Sequence, residues 1–192
     1  MPASLRTVAR QGLLVILVLP VLAGLVARPA AQGSAAGPPA VIPQYDAGRN
    51  LILPADYREW VLIGSSLGLS YAEGAQGRQM FHATLMEPTA YRHFLERGEF
   101  REGTMLALLL QGVGSGAAPA RQGQFGTDLL GVELAVKDRG RVAEGWAYYA
   151  FGAGSRLLTA AAPQPKARCF DCHEQHAATD KVFTQFYGLL RK

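Results

Sequence analysis

Both cysteines of this 192-residue chain lie in one run near the C-terminus, Cys169-Phe170-Asp171-Cys172-His173. Two thiols three positions apart, followed at once by an imidazole, can bond to a porphyrin edge and bind its iron. That is the attachment pattern of a c-type haem. With two cysteines and four histidines in the chain, random placement gives this pattern about 2 times in 10,000. The C-terminal segment therefore has to carry a bound group, and the rest of the chain has to fold around that demand.

Three other readings compete. A Cys169–Cys172 disulfide would close a very small loop and stabilise little through entropy. A thioredoxin-like pair needs a βαβ surrounding, which the flanking sequence does not offer. Zinc could use His176 as a fourth ligand beside Cys169, Cys172 and His173. Four ligands within eight consecutive residues converge poorly on a tetrahedron, because zinc sites usually separate their ligand pairs by a longer stretch. His176 reads as a solvated side chain or a neighbour of the ligand. The spacing favours haem.

The N-terminus has the charge order of a secretory leader. Arg6 and Arg10 precede an apolar run from Leu13 to Val26, and small residues follow from Ala27 through Ala36. Residues 1–31 are expected to be a cleaved signal peptide and the protein periplasmic, since covalent haem attachment takes place outside the cytoplasmic membrane in bacteria. An uncleaved anchor is the lesser alternative. The uncharged stretch between Arg10 and Arg28 is 17 residues, interrupted by Pro20, against the ~20 that a span needs. The net charge of +4 also belongs mostly to this segment. Without its three arginines, 16 basic side chains face 15 acidic ones, too balanced for a nucleic-acid surface. Lys166 and Arg168 beside the cysteines read as solvated charges more readily than as a docking patch for a redox partner.

Residues 32–43, rich in Ala, Gly and Pro, read as a flexible linker. Residues 44–192 are enough for one domain with a single core. Periodicity and turn residues predict a helical turn from Pro54 to Arg58 and strands over 60–63, 79–86, 104–110, 129–137 and 146–151. A helix is expected from Pro88, stopped by Gly98. The Gly-rich stretch 112–126 reads as a long loop, and helical character returns around Cys169 and over 182–190. The expected class is α+β: one mainly antiparallel sheet of about five strands, peripheral helices and a C-terminal haem-binding helical region.

Several phrases in this order resemble the cytochrome P460 family: Leu53-Pro54-Ala55-Asp56-Tyr57-Arg58-Glu59-Trp60-Val61, Gly98-Glu99-Phe100-Arg101-Glu102-Gly103-Thr104, Val136-Lys137-Asp138, Gly145-Trp146, Cys169 through His173, and Asp180 through Tyr187. The resemblance implies one covalent haem c, with Cys169 and Cys172 as thioether positions and His173 as proximal iron ligand. It also implies a five-coordinate iron open to small nitrogen-containing ligands such as nitric oxide or hydroxylamine. Members named for the P460 chromophore oxidise hydroxylamine and carry an extra link from the haem to a lysine. That lysine would fall at about Leu108, within Thr104-Met105-Leu106-Ala107-Leu108-Leu109-Leu110. Its absence moves the chain towards the related β-sheet cytochromes c′, which bind nitric oxide and carbon monoxide in an apolar pocket.

The far side of the iron is less defined by sequence. Phe81, His82 and Leu108 are the distal candidates, and His82, His93 and Glu133 are the candidate proton acceptors. Strand alternation puts Glu133 with Lys137 on one face, opposite Val132, Leu134 and Val136, and the polar face is expected to be solvated. Met80, Met86 and Met105 read as core. Three functions follow as expectations: binding of a gaseous or nitrogenous ligand, oxidation of hydroxylamine or nitric oxide, and electron transfer. The last needs a second axial ligand and a periplasmic redox partner. A homodimer is compatible with all three.

Overall fold

The short strand β1 (Leu51–Ile52) leads into five longer ones: β2 (Val61–Leu67), β3 (Phe81–Met86), β4 (Met105–Ser115), β5 (Gln124–Lys137) and β6 (Trp146–Ala150). Strand β7 (Ala160–Ala161) pairs back on β1 as a second, two-stranded sheet. The structure is a computed structural model that describes residues 40–70, 79–119, 121–152 and 156–191. The chain divides into two units, residues 1–35 and 36–192, and all that follows concerns the second. The expected signal peptide and most of the linker lie outside the described residues.

Strands β2 to β6 form one antiparallel sheet in the order of the chain, each strand beside the next. The fold is α+β, as expected. The register aligns Gly64, Thr84, Leu108, Glu133 and Ala150 across all five strands. Because side chains alternate along a strand, this row shares a face with Met86, Leu106, Ala135 and Tyr148. The opposite face carries Leu85, Ala107, Leu134 and Tyr149.

Both faces are covered. The second face packs with Leu51, Tyr57, Trp60, Met105, Val132 and Val136 into one core. The first packs with Phe94, Phe100, Trp146, Phe170 and Val182 into another. A strand buried on both sides reads as a continuous apolar run, which is why Met105 through Leu110 shows no polar alternation.

The helix α1 (Pro88–Arg97) starts and stops where the sequence says. Proline suits the first helical position, where its missing N–H costs nothing, and Gly98 ends the helix in a left-handed conformation with φ +76°. The cap is Glu87, which is 1% exposed. Its carboxylate accepts from Thr89 N at 2.9 Å, Ala90 N at 2.7 Å and Thr89 Oγ1 at 2.6 Å, and Arg101 sits 3.1 Å away. Burial works to raise the pKa of Glu87, but the hydrogen bonds from Thr89 and Ala90 outweigh it and hold the group below its ordinary value.

Three expectations need correction. The Gly-rich stretch 112–126 is strand at both ends, because β4 runs on to Ser115 and β5 begins at Gln124, which shortens the expected loop to the residues between them. Glycine serves close approach there, since a Cβ on Gly114 would come within 2.6 Å of the Phe125 ring. The helical character expected over 182–190 resolves into two 3-10 turns, Thr184–Phe186 and Gly188–Leu190. The helical turn near Pro54 is a 3-10 turn at Tyr57–Glu59. Among the described residues no helix is long and apolar enough to cross a membrane.

Replacing Glu87 by Ala removes the cap and strands the helix N–H groups and Arg101 together. The expected loss is about 2–4 kcal/mol, read as a lower denaturation midpoint with unchanged m-value.

Candidate functional site

The helix α2 (Phe170–His176) begins directly after Cys169. Phe170, between the two cysteines, is 6% exposed and packs with Trp146, Tyr148 and Val182. The ammonium groups of Lys166 and Lys181 lie 5.7 and 5.9 Å from its ring centre. Burying this one aromatic side chain turns Cys169, Cys172 and His173 towards a cavity of about 240 Å³ between α2 and the sheet. Both thiols are free and half-buried. Burial pushes the Cys169 thiol up, and the nearby Glu133 carboxylate adds to that while Arg168 opposes it.

His173 is the best-defined group in the cavity. Its Nδ1 lies 2.8 Å from the carbonyl oxygen of Lys181. A carbonyl can only accept, so Nδ1 carries the proton and donates it, and the lone pair is on Nε2. The Tyr148 hydroxyl donates to the same oxygen at 3.2 Å. The Tyr148 and Phe183 rings flank the imidazole at centroid distances of 4.5 and 4.4 Å. Burial pushes the pKa of His173 down, with the Lys181 carbonyl pulling weakly the other way. The imidazole is thus held neutral, oriented and ready to give its Nε2 lone pair to a metal.

The sheet supplies the other wall. His82, Thr84, Leu108 and Glu133 all line the cavity, together with Tyr187 from the C-terminal segment. Burial lowers the pKa of His82, whose Nδ1 is 3.4 Å from Ser66 Oγ. Tyr187 hydrogen-bonds Thr84 and rests over Gly64, where an added Cβ would fall 2.7 Å from its ring.

Among the distal candidates, the structure brings His82 and Leu108 into the cavity wall and leaves Phe81 out of it. The alternation between Phe81 and His82 is real, and His82 takes the cavity side. The expectation of a solvated Glu133 is overturned. It shares a face with Lys137 as predicted, but the C-terminal segment covers that face. Burial raises the pKa of Glu133, with Arg168 pulling it back. His93 lies on α1, 3.7 Å from Glu99 and away from the cavity. Met86 and Met105 are fully buried core. Lys166 pairs with Glu144 outside the cavity, whereas Arg168 lines it. Thr84, Tyr148, Phe183 and Tyr187 escaped sequence reasoning. Only Thr84 had a signal, two positions from His82 on the same strand face.

The family model of cytochrome P460 matches residues 54–184, more than half of the chain. The chain belongs to the cytochrome P460 family. No curated protein matches it at a significant level. Membership makes this a haem protein of a family that acts on nitrogen compounds, and the residues fit a haem c. Two free thiols and an oriented neutral imidazole line a cavity whose walls are largely aliphatic and aromatic, with polar groups that include His82, Thr84, Glu133 and Arg168. Among the described residues no group of three or more His, Cys, Asp and Glu could hold a metal ion, so the zinc quartet with His176 is not assembled. Leu108 lies in the cavity wall, in line with Thr84 and Glu133.

Two tests follow from this cytochrome P460 site. A folded-state pKa of Glu133 raised above its unfolded value favours the neutral form, so its contribution is complete below about 4.5, the ordinary value, and is lost as pH rises through the folded pKa. Glu133→Gln should therefore be no more stable than the parent in acid and increasingly more stable towards neutral pH, as thermal unfolding across that range will show. Gly64→Ala should displace Tyr187 and cost about 1–3 kcal/mol by overpacking, with a matching change in Tyr187 fluorescence or near-UV dichroism.

Proposed function

We propose that this member of the cytochrome P460 family is an exported haem protein that binds nitric oxide at an iron held from one side only. The observation that carries the reading is Leu108. An aliphatic side chain occupies the wall position where a cross-linking lysine would stand, and it is flanked by Thr84 on β3 and Glu133 on β5. The role of the chain's own residues follows from the site. Cys169 and Cys172 would hold the haem covalently through their thiols, and His173 would ligate through Nε2 while Lys181 and Tyr148 fix the ring. Once bound, the haem supplies an iron with an open coordination position for a small diatomic ligand. Leu106 and Leu108 on the sheet wall would lower the dielectric around that position, which suits an uncharged ligand. The leader over residues 1–31 would deliver the chain to the periplasm, where covalent attachment takes place.

A second reading is oxidation of hydroxylamine with an external electron acceptor. Glu133 favours it, because a carboxylate with a raised pKa on the cavity wall is a competent proton acceptor. Plain electron transfer would need a second axial ligand. Met86 and Met105 are committed to the core, and Met80, half-buried and not core as expected, does not line the cavity, which leaves His82 as the candidate.

Absorption spectra separate the three. The ferrous protein should be high-spin and take up nitric oxide and carbon monoxide readily; a six-coordinate low-spin spectrum that reverts in His82→Ala would instead identify electron transfer. Under the second reading, Glu133→Gln lowers hydroxylamine turnover by about 10²–10⁴-fold while leaving nitric oxide uptake intact. No turnover in the parent protein would dismiss that reading.

A further inference from the structure

The Lys181 carbonyl that orients His173 belongs to a turn that does not hold itself. Asp180 and Lys181 have φ of +44° and +62°, and neither is glycine. Thr179 and Val182 close the turn through paired backbone hydrogen bonds of 3.3 and 2.8 Å. Two successive non-glycine residues in left-handed backbone persist only where the surroundings over-determine them. Glycine at either place would have been the ordinary solution.

What pins the turn comes from the sheet. Lys137, the last residue of β5, is 5% exposed. Its Nζ donates to Asp180 Oδ2 at 2.6 Å and to the Phe100 carbonyl at 2.7 Å. A buried ammonium needs both acceptors to offset its lost hydration. Its backbone is fixed as well, with Lys137 N donating to Thr104 O and its own carbonyl accepting from Gly103 N, each at 2.9 Å. Asp180 is thus tied to a point on the sheet that has little freedom to move.

We propose that Lys137 is a positioning residue for His173. Through Asp180 it holds the left-handed turn so that the Lys181 carbonyl accepts the Nδ1 proton of His173, and this sets the orientation and donor strength of the imidazole. Lys137 touches neither the imidazole nor the cavity, so it acts entirely through the turn. The proposal rests on the reading of His173 as iron ligand. It concerns the strength of that bond and not the ligand bound on the other side.

The test uses the haem-loaded protein with Lys137→Met, which keeps an unbranched side chain in the buried site, and Asp180→Asn, which leaves the Lys137 bond to Phe100 in place and guards against a folding defect in the first variant. Gln185→Ala is the control. It loosens the same segment by removing the bonds from Ala178 N and to the His176 carbonyl without touching the ion pair. In the ferrous state, solvent exchange of the His173 Nδ1 proton, followed by NMR, should quicken about tenfold in Lys137→Met and Asp180→Asn. The iron–histidine stretching frequency should fall with it, and Gln185→Ala should change neither. Unchanged proton exchange in both ion-pair variants overturns the proposal, as does an equal change in Gln185→Ala, which would assign the effect to general loosening. Proton exchange is readable in five- and six-coordinate protein alike. A low-spin parent spectrum would therefore defeat the proposed function while the exchange rates still decide the role of Lys137.

Discussion

One hydrogen bond joins the parts of this molecule that matter to its chemistry, from His173 Nδ1 to the carbonyl of Lys181. It fixes the tautomer of the imidazole, and so decides that Nε2 is the nitrogen available to a metal. It also marks where α2, the C-terminal turn and the sheet converge, since Tyr148 of β6 donates to the same oxygen and Lys137 of β5 restrains the residue before it. A neutral, half-buried imidazole with its Nδ1 proton committed to a carbonyl keeps one lone pair free, on Nε2. It becomes useful only when a metal takes its lone pair, which is the sense in which this cavity is built for its cofactor.

The sheet is asymmetric in purpose although both faces are buried. One face is a conventional core, closed by Leu51, Tyr57 and Trp60 from the N-terminal part of the domain. The other is closed at one end by α1, Phe100 and Trp146 and left open at the other, where α2 and residues 182–187 stand off from the strands. Small residues create that stand-off. Gly64 admits the Tyr187 ring, and Ala135 and Ala150 keep the wall low beside Glu133. Of the polar side chains on the sheet wall, Thr84 and Glu133 are separated by Leu108.

Local patterns were legible in the sequence because their causes are local. Pro88 and Gly98 bracket α1 through their own backbone preferences, and the five main strands announced themselves by apolar runs. The reading failed where the cause lay elsewhere in the chain. Alternation along β5 correctly grouped Glu133 with Lys137, but alternation is relative. It says which residues share a face and not whether another segment will cover that face. The glycines of 112–126 suggested a loop throughout, whereas Gly112 and Gly114 lie in β4, where Thr127 and Phe125 leave no room for a side chain. The two-residue strands β1 and β7 are too short for any periodicity, and their pairing spans more than a hundred residues.

The sequence by itself pointed to the cofactor, because two thiols and an imidazole within five residues stay close together whatever the rest of the chain does. It determined the antiparallel α+β architecture for a similar reason, since each main strand pairs with the next one in the chain. Only the tertiary structure decided what faces that helix. The register across five strands put Leu108 between Thr84 and Glu133, and the folding-over of the C-terminal segment turned a solvated face into a cavity wall. Those outcomes depend on contacts between residues far apart in the chain, from Thr84 beside Leu108 to Gly64 under Tyr187, which no local pattern encodes.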